Sequence, residues 1–223
     1  MTYDPEPLLL TFRLAGVTTL ILFVVGVPLA YWLATRAGRM RPVVEALVSL
    51  PLVLPPSVLG FYLLLAFSPQ YGIGDQVQRL FGTSLLFSFE GLVVGSVLFS
   101  LPFMVHPVQS GFRNLPVTLR EAAHTLGLSE LRTAMFILLP NIKPALLAAT
   151  VLTFAHTVGE FGVVLMIGGN IPGATRVASI AIYDEVEALH YAAANFYALV
   201  LVAICFAVLL LVYGIDRKPV RAY

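Results

Sequence analysis

The stretch from Glu121 to Pro140, E-A-A-H-T-L-G-L-S-E-L-R-T-A-M-F-I-L-L-P, is one of the few polar islands in a strongly apolar chain. Leu119, Ala122, Ala123 and Leu126 recur at i, i+3, i+4 and i+7, which places them on one face of a helix. Gly127 stands where a left-handed C-cap is expected, because a residue without Cβ enters positive φ without a clash. Ser129 follows as an N-cap whose hydroxyl accepts from a first-turn amide, opening a second helix that runs to Pro140. The stretch therefore reads as helix, sharp turn, helix. Ala122 and Ala123 are small enough for another surface to approach closely, with Arg120 and Glu121 at the rim. The pattern alone fits a docking site and an amphipathic surface hairpin equally well.

Around this island, 59% of the 223 residues are hydrophobic and 11% are charged. Soluble domains average roughly 45–50% apolar and about 25% charged, so this composition, with a mean hydropathy of +0.91, is that of an integral membrane protein. One domain, 1–223, is expected at this length. The lone Cys205 lies in an apolar run and has no partner for a disulfide within the chain. Asp4 and Glu6 precede the first apolar run, which is too long for the core of a cleaved signal.

A spanning helix needs about 20 mostly apolar residues. Five such runs are visible: Leu8 to Thr35, Ala46 to Phe67, Gly91 to Gly111, Pro144 to Ile167 and Ala192 to Gly214. The expected fold is all-α, with about five transmembrane helices and no barrel strands. Alternation of five spans puts ten basic residues on one side: Arg36, Arg39, Arg41, Arg113, Arg120, Arg132, Lys143, Arg217, Lys218 and Arg221. Arg13, Arg79 and Arg176 fall on the other. The excess of basic residues on cytoplasmic loops then sets the N-terminus outside, the C-terminus inside and the Glu121–Pro140 loop in the cytoplasm. Of the outer loops, Ser68 to Glu90 contains a short interfacial helix near Asp75 to Phe81. Gly168 to Tyr191 contains a surface helix over Ala174 to Glu187, too acidic to span.

Few residues offer chemistry. Lys143 and Lys218, the only lysines, are each followed by proline, so no phosphate-binding loop exists and ATP hydrolysis would fall to another polypeptide. The second span carries Pro51, Pro55, Pro56 and Ser57. Each proline removes a backbone donor, and in hydrocarbon the freed carbonyls need protein or water, so this span is expected to be kinked and to line a pathway or a static bundle. The fourth span holds Thr153, His156, Gly159 and Glu160, with His156 and Glu160 four residues apart and expected on one face. A carboxylate at that depth costs a few kcal/mol and should face the interior. The three readings are a gate or pathway network, a structural polar cluster and an intramembrane enzyme using His156 and Glu160. The last lacks a second carboxylate or a nucleophile in another span. A metal site would need further ligands, and none is expected. Gly159 and Gly162 permit close helix contact. Arg79 and Arg176 are the candidates for a positive entrance.

The spacing E-A-A-x3-G-x9-I-x-L-P resembles the cytoplasmic loop signature of permease subunits of binding-protein-dependent ABC importers, and every fixed position is met. The stretches Leu50 to Leu65, Phe87 to Met104 and Phe154 to Ile182, with G-E-F-G and N-I-P-G-A-T-R, resemble in particular the permease of molybdate ABC importers. The likeness runs from about Thr11 to Gly214 and departs at His156, where a relative carries arginine. It implies that Glu121, Ala122, Ala123, Gly127, Leu139 and Pro140 belong to coupling helices that enter a cleft on a separate ATPase. It further implies two ATPase subunits that bind ATP and Mg, a second permease copy forming a homodimer, and an external molybdate- or tungstate-binding protein. This chain itself would hold no cofactor and no nucleic acid, and would sit among the lipids of a prokaryotic cytoplasmic membrane. Sulfate and thiosulfate permeases, which share the G-E-F-G segment, are the alternative.

Overall fold

The structure, a computed structural model, describes residues 4–35, 38–70 and 72–215. Arg36, Arg217, Lys218 and Arg221, used in assigning orientation, lie outside the described residues. Helices account for most of the described chain, with no strand among the described residues. Helix α1 (Glu6–Thr35) is the axis of the bundle. Leu14, Thr18 and Leu22, four residues apart, form a fully buried stripe, and Gly26 lies so close to α5 (Phe89–Arg113) that a Cβ there would meet Met104 Cγ at 2.9 Å. Together α1, α5 and the final helix, apolar enough to span over Tyr191–Leu210, are three unbroken helices long and apolar enough to cross a membrane.

The second and fourth spans are not straight. Expected as one kinked helix over Ala46 to Phe67, the second is two helices, α2 (Arg41–Val53) and α3 (Pro56–Phe67), bent by 113°. Leu54 is extended, with ψ 138°, because the Pro55 ring excludes the helical conformation from the residue before it, and Pro55 is itself extended, with ψ 137°. Between α3 and α5 runs α4 (Gly72–Phe81), the short outer helix expected near Asp75. The fourth span, expected continuous from Pro144 to Ile167, breaks at Gly159 to Phe161. Three helices are long and apolar enough to span as they stand, and the number rises to as many as five if Arg41–Val53 with Pro56–Phe67, and Glu130–Asn141 with Lys143–Val158, each count as one bent span.

The island forms α6 (Val117–Thr125), α7 (Glu130–Thr133), a π turn (Ala134–Leu138) and α8 (Leu139–Asn141). It leads at a 78° bend into α9 (Lys143–Val158). The break follows, then α10 (Gly162–Gly168), the surface helix α11 (Ala178–Glu187) and α12 (Tyr191–Ile215). A π turn stands just before Pro140 because proline has no N–H to offer Phe136; the Leu139 amide reaches back five residues to Ala134 instead.

Two apolar cores stack along α1. One joins Leu22, Leu33, Met104, Val108, Phe112, Leu138 and Ile142, at the end where the island lies. The other joins Leu14, Phe67, Leu92, Val163, Ile167 and Ile180, at the opposite end. Polar ties fix both ends. Thr11 Oγ1 accepts from the Ala178 amide at 2.8 Å, Tyr197 donates to the Asp4 carbonyl at 2.8 Å, and Thr175 Oγ1 donates to the Gly168 carbonyl at 2.7 Å. At the island end, Glu45 of α2 accepts from Gln109 (2.6 Å) and from Arg113, both of α5. Ser49 lies 3.1 Å from His106 Nε2. Beyond α11, Leu189 takes a left-handed φ of 62° while 70% exposed.

Gly91 tests the packing that holds the 82–88 turn. A Cβ there would fall 1.7 Å from the Leu85 carbonyl oxygen, whereas one at Gly16 would meet nothing within 4 Å. Gly91→Ala is expected to destabilise the detergent-solubilised protein by about 1–3 kcal/mol, the usual range for overpacking. Gly16→Ala should leave its thermal unfolding unchanged; equal unfolding temperatures for the two variants would contradict this packing.

Candidate functional site

Two sites emerge, one at each break from regular helix. In the island, α6 ends as its sequence requires. Gly127 has φ +75°, its amide donates to the His124 carbonyl at 2.9 Å, and the Leu128 amide donates to the Ala123 carbonyl at 3.1 Å. These paired bonds satisfy the last carbonyls of α6 in a Schellman turn. A Cβ on Gly127 would touch nothing within 4 Å, so glycine is needed here for its backbone and not for space. Ser129 Oγ then caps α7 by accepting from the Arg132 amide.

The carboxylate that organises this loop is Glu130, which sequence reasoning passed over in favour of Glu121. Glu130 accepts the Tyr31 hydroxyl at 2.9 Å and the Arg120 guanidinium, with His124 Nε2 3.6 Å away. Arg120 holds its carboxyl below the ordinary carboxylate range. The ion pair therefore contributes above that range and is lost as pH falls through the lowered value. Tyr31 is 99 residues away in α1, and no local pattern announces the contact. Glu121 is exposed, with no side-chain partner among the described residues. The expected apolar face does not pack as a unit. Ala123 is buried and Leu119 partly so, but Ala122 is exposed and Leu126 is 78% exposed. The reason is that α6 ends at Thr125, so Leu126 turns outward at the cap. Leu126, Val117, Leu131 and Phe136 give the loop an exposed apolar surface. Leu139 is half-buried and Pro140 exposed.

The second site is a cavity of about 620 Å³ lined by Pro56, Ser57, Phe99, Ala155, His156, Gly159, Glu160, Phe161 and Gly162. It brings together the start of α3, one wall of α5 and the break between α9 and α10. Gly162 allows this junction, since a Cβ there would lie 2.7 Å from Pro56 Cβ. His156 and Glu160 do not share a helix face, because α9 ends at Val158 and Glu160 sits in the break. His156 stacks on Phe103 with ring centroids 3.9 Å apart, and its Nδ1 lies 3.0 Å from Ser100 Oγ. Glu160 is 4% exposed; both its oxygens are buried without a hydrogen bond. Ser96 Oγ faces it, also unpaired, close enough to interact but outside hydrogen-bond geometry. Thr153 is buried with its hydroxyl unpartnered, and Pro51 and Pro55 shape the bend without lining the cavity.

The two entrance candidates are paired within the chain. Arg79 Nε meets Asp75 at 2.8 Å on α4. The Arg176 guanidinium meets Asp184 at 3.0 Å and Glu185 at 3.7 Å on α11.

A bundle with two broken spans and a helical loop projecting from one end is the architecture of a transporter permease, and comparison with known proteins gives the family. The chain belongs to the binding-protein-dependent transport system inner membrane components, whose family model matches residues 26–221. It is 46% identical to the molybdenum transport system permease protein ModB of Azotobacter vinelandii, covering 96% of this chain and 95% of that one. It is 34% identical to the sulfate transport system permease protein CysT of Salmonella typhimurium, over 95% of this chain and 75% of that one. Among solved structures, the inward-facing MetNI methionine ABC transporter matches its fold with a TM-score of 0.72 at 20% identity, over 96% and 95% of the two chains.

Gly127→Val places a β-branched residue at positive φ, where left-handed backbone costs roughly 1–2 kcal/mol and more for branched side chains. The variant is expected to insert into the membrane in normal amount and to lose transport. Membrane yield and substrate uptake measured together check this; wild-type uptake by Gly127→Val would show that the turn is dispensable.

Proposed function

We propose that this chain is the permease subunit of an ATP-driven molybdate importer that also passes tungstate. It receives the oxyanion from an external binding protein and conducts it through a dimer of two permease copies. Two separate ATPase subunits, which bind ATP and Mg, drive the cycle, and the chain holds no cofactor and performs no catalysis. The observation that carries the substrate class is the 46% identity, over nearly the whole of both chains, to a molybdenum permease, set against 34% to a sulfate permease.

The loop supports the coupling role. Glu121, Ala122, Ala123, Gly127, Leu139 and Pro140 lie on or beside an exposed apolar surface held to α1 through Glu130 and Tyr31. An ATPase cleft that accepts Leu126 and Phe136 buries surface that is otherwise wet, and Glu121 at the rim is free for a charge-assisted hydrogen bond of about 1.5–3 kcal/mol. With the loop in the cytoplasm of a prokaryotic cell, the 168–190 segment and α4 face outside. The cavity between α3 and the α9–α10 break is the part of the pathway this chain contributes.

Because Arg79 and Arg176 are each matched by acidic partners, this face selects no free dianion by charge, and selection falls to the binding protein. In proteoliposomes holding the complete transporter and its binding protein, molybdate uptake is expected to be competed by tungstate and not by a large excess of sulfate. Efficient sulfate transport would reassign the chain to the sulfate class.

A further inference from the structure

The hydrogen-bond chain behind His156 fixes where its protons lie. Thr157 Oγ1 donates to the Thr153 carbonyl at 2.9 Å, and a carbonyl can only accept. The Thr157 hydrogen is therefore spent, and Ser100 Oγ, 3.0 Å away, must donate to Thr157 Oγ1. With its own hydrogen spent, Ser100 accepts from His156 Nδ1 at 3.0 Å. The neutral ring thus carries its hydrogen on Nδ1 and presents a bare lone pair at Nε2. That nitrogen has no partner among the described residues and is not among the buried polar atoms, while the ring forms part of the cavity wall.

Among the described residues, no lysine or arginine lines the cavity. Ser57 lines it from the first turn of α3, offering a hydroxyl near the positive end of a twelve-residue helix. The elements packed around His156 bring Phe99, Ser100 and Phe103 from α5 and Ser57 from α3. The only other titratable group lining the cavity is Glu160, whose two oxygens are shut off from it. A neutral Nε2 lone pair repels an oxyanion. An imidazolium attracts one and donates to it, and a dianion beside the ring offsets the cost of charging it in an apolar setting.

We propose that His156 and Ser57 form an oxyanion-contacting station in this cavity, occupied when His156 takes up a proton at Nε2. Proton and anion enter together, and the Ser100–Thr157–Thr153 relay keeps Nδ1–H in place so that Nε2 is the nitrogen that changes. This rests on the oxyanion-permease reading above.

The test uses the complete transporter with its binding protein in proteoliposomes, with labelled molybdate as the probe and the bath moved from about pH 5 to about pH 8, the range over which an ordinary histidine titrates. His156→Phe keeps the stacking on Phe103, and His156→Gln keeps a polar group there. Both are expected to assemble with the ATPase and lose uptake by about tenfold or more, the usual scale for a charged hydrogen bond. His156→Arg, permanently charged, is expected to restore uptake and to abolish the decline with rising pH shown by wild type. Wild-type uptake by the Phe or Gln variant overturns the proposal, as does a wild-type pH slope in the Arg variant. If the wild-type complex moves sulfate and not molybdate, the substrate reading fails by itself, and the same variants test the station with sulfate.

Discussion

A membrane offers no water to an unpaired amide or carbonyl, so a span can be broken only where protein or a water-filled cavity receives the freed groups. This chain interrupts two of its apolar runs, at Leu54–Pro55 and at Gly159–Phe161, and places the interruptions against each other. Gly162 packs on Pro56, Ser179 donates to the Glu160 carbonyl at 2.6 Å, and the remaining space is the cavity that holds His156 and Ser57. The unbroken spans serve this arrangement. Helix α1 supplies a buried stripe, α5 supplies small and polar residues at its crossings, and both cores are built on them.

The two candidate sites are continuous along the chain. The π turn and α8 feed through the bend at Ile142 into α9, which carries His156 near its far end. At the loop end, Glu130 ties α7 to α1, and Glu45 ties α2 to α5. The loop leads through α8 and the bend into α9, whose far end forms part of the cavity wall. The individual ties are partly exposed, and such pairs are worth little alone; their role here is to set geometry. Thr153, Ser96 and Glu160 are buried around the break without a side-chain hydrogen bond among the described residues.

Much of this is legible in the residues themselves. Gly127 and Ser129 announce the turn because cap chemistry is local, and they stand as expected. The proline cluster locates the first break but says nothing of its 113° angle, which depends on what α3 packs against. The second break is hidden because Gly159, Glu160 and Phe161 interrupt an otherwise continuous apolar run without a proline, and the flanking glycines signal close packing as readily as a break. Glu130 was missed because its partner Tyr31 is remote in sequence, and Leu126 was placed inward because periodicity was extended one residue beyond the end of α6. Arg79 and Arg176 read as free cations until their carboxylate partners, four and eight residues or more along the chain, are folded beside them.

In the proposed transporter the loop faces an ATPase inside the cell and the opposite end faces a binding protein outside. Thiol cross-linking in the assembled transporter reads this directly, with Cys205 replaced and single cysteines placed at exposed Leu126 or exposed Leu189. Leu126→Cys is expected to link to the ATP-hydrolysing subunit and Leu189→Cys to the binding protein. Reaction of Leu126→Cys with a membrane-impermeant reagent added outside intact cells, without a link to the ATPase, would contradict this orientation.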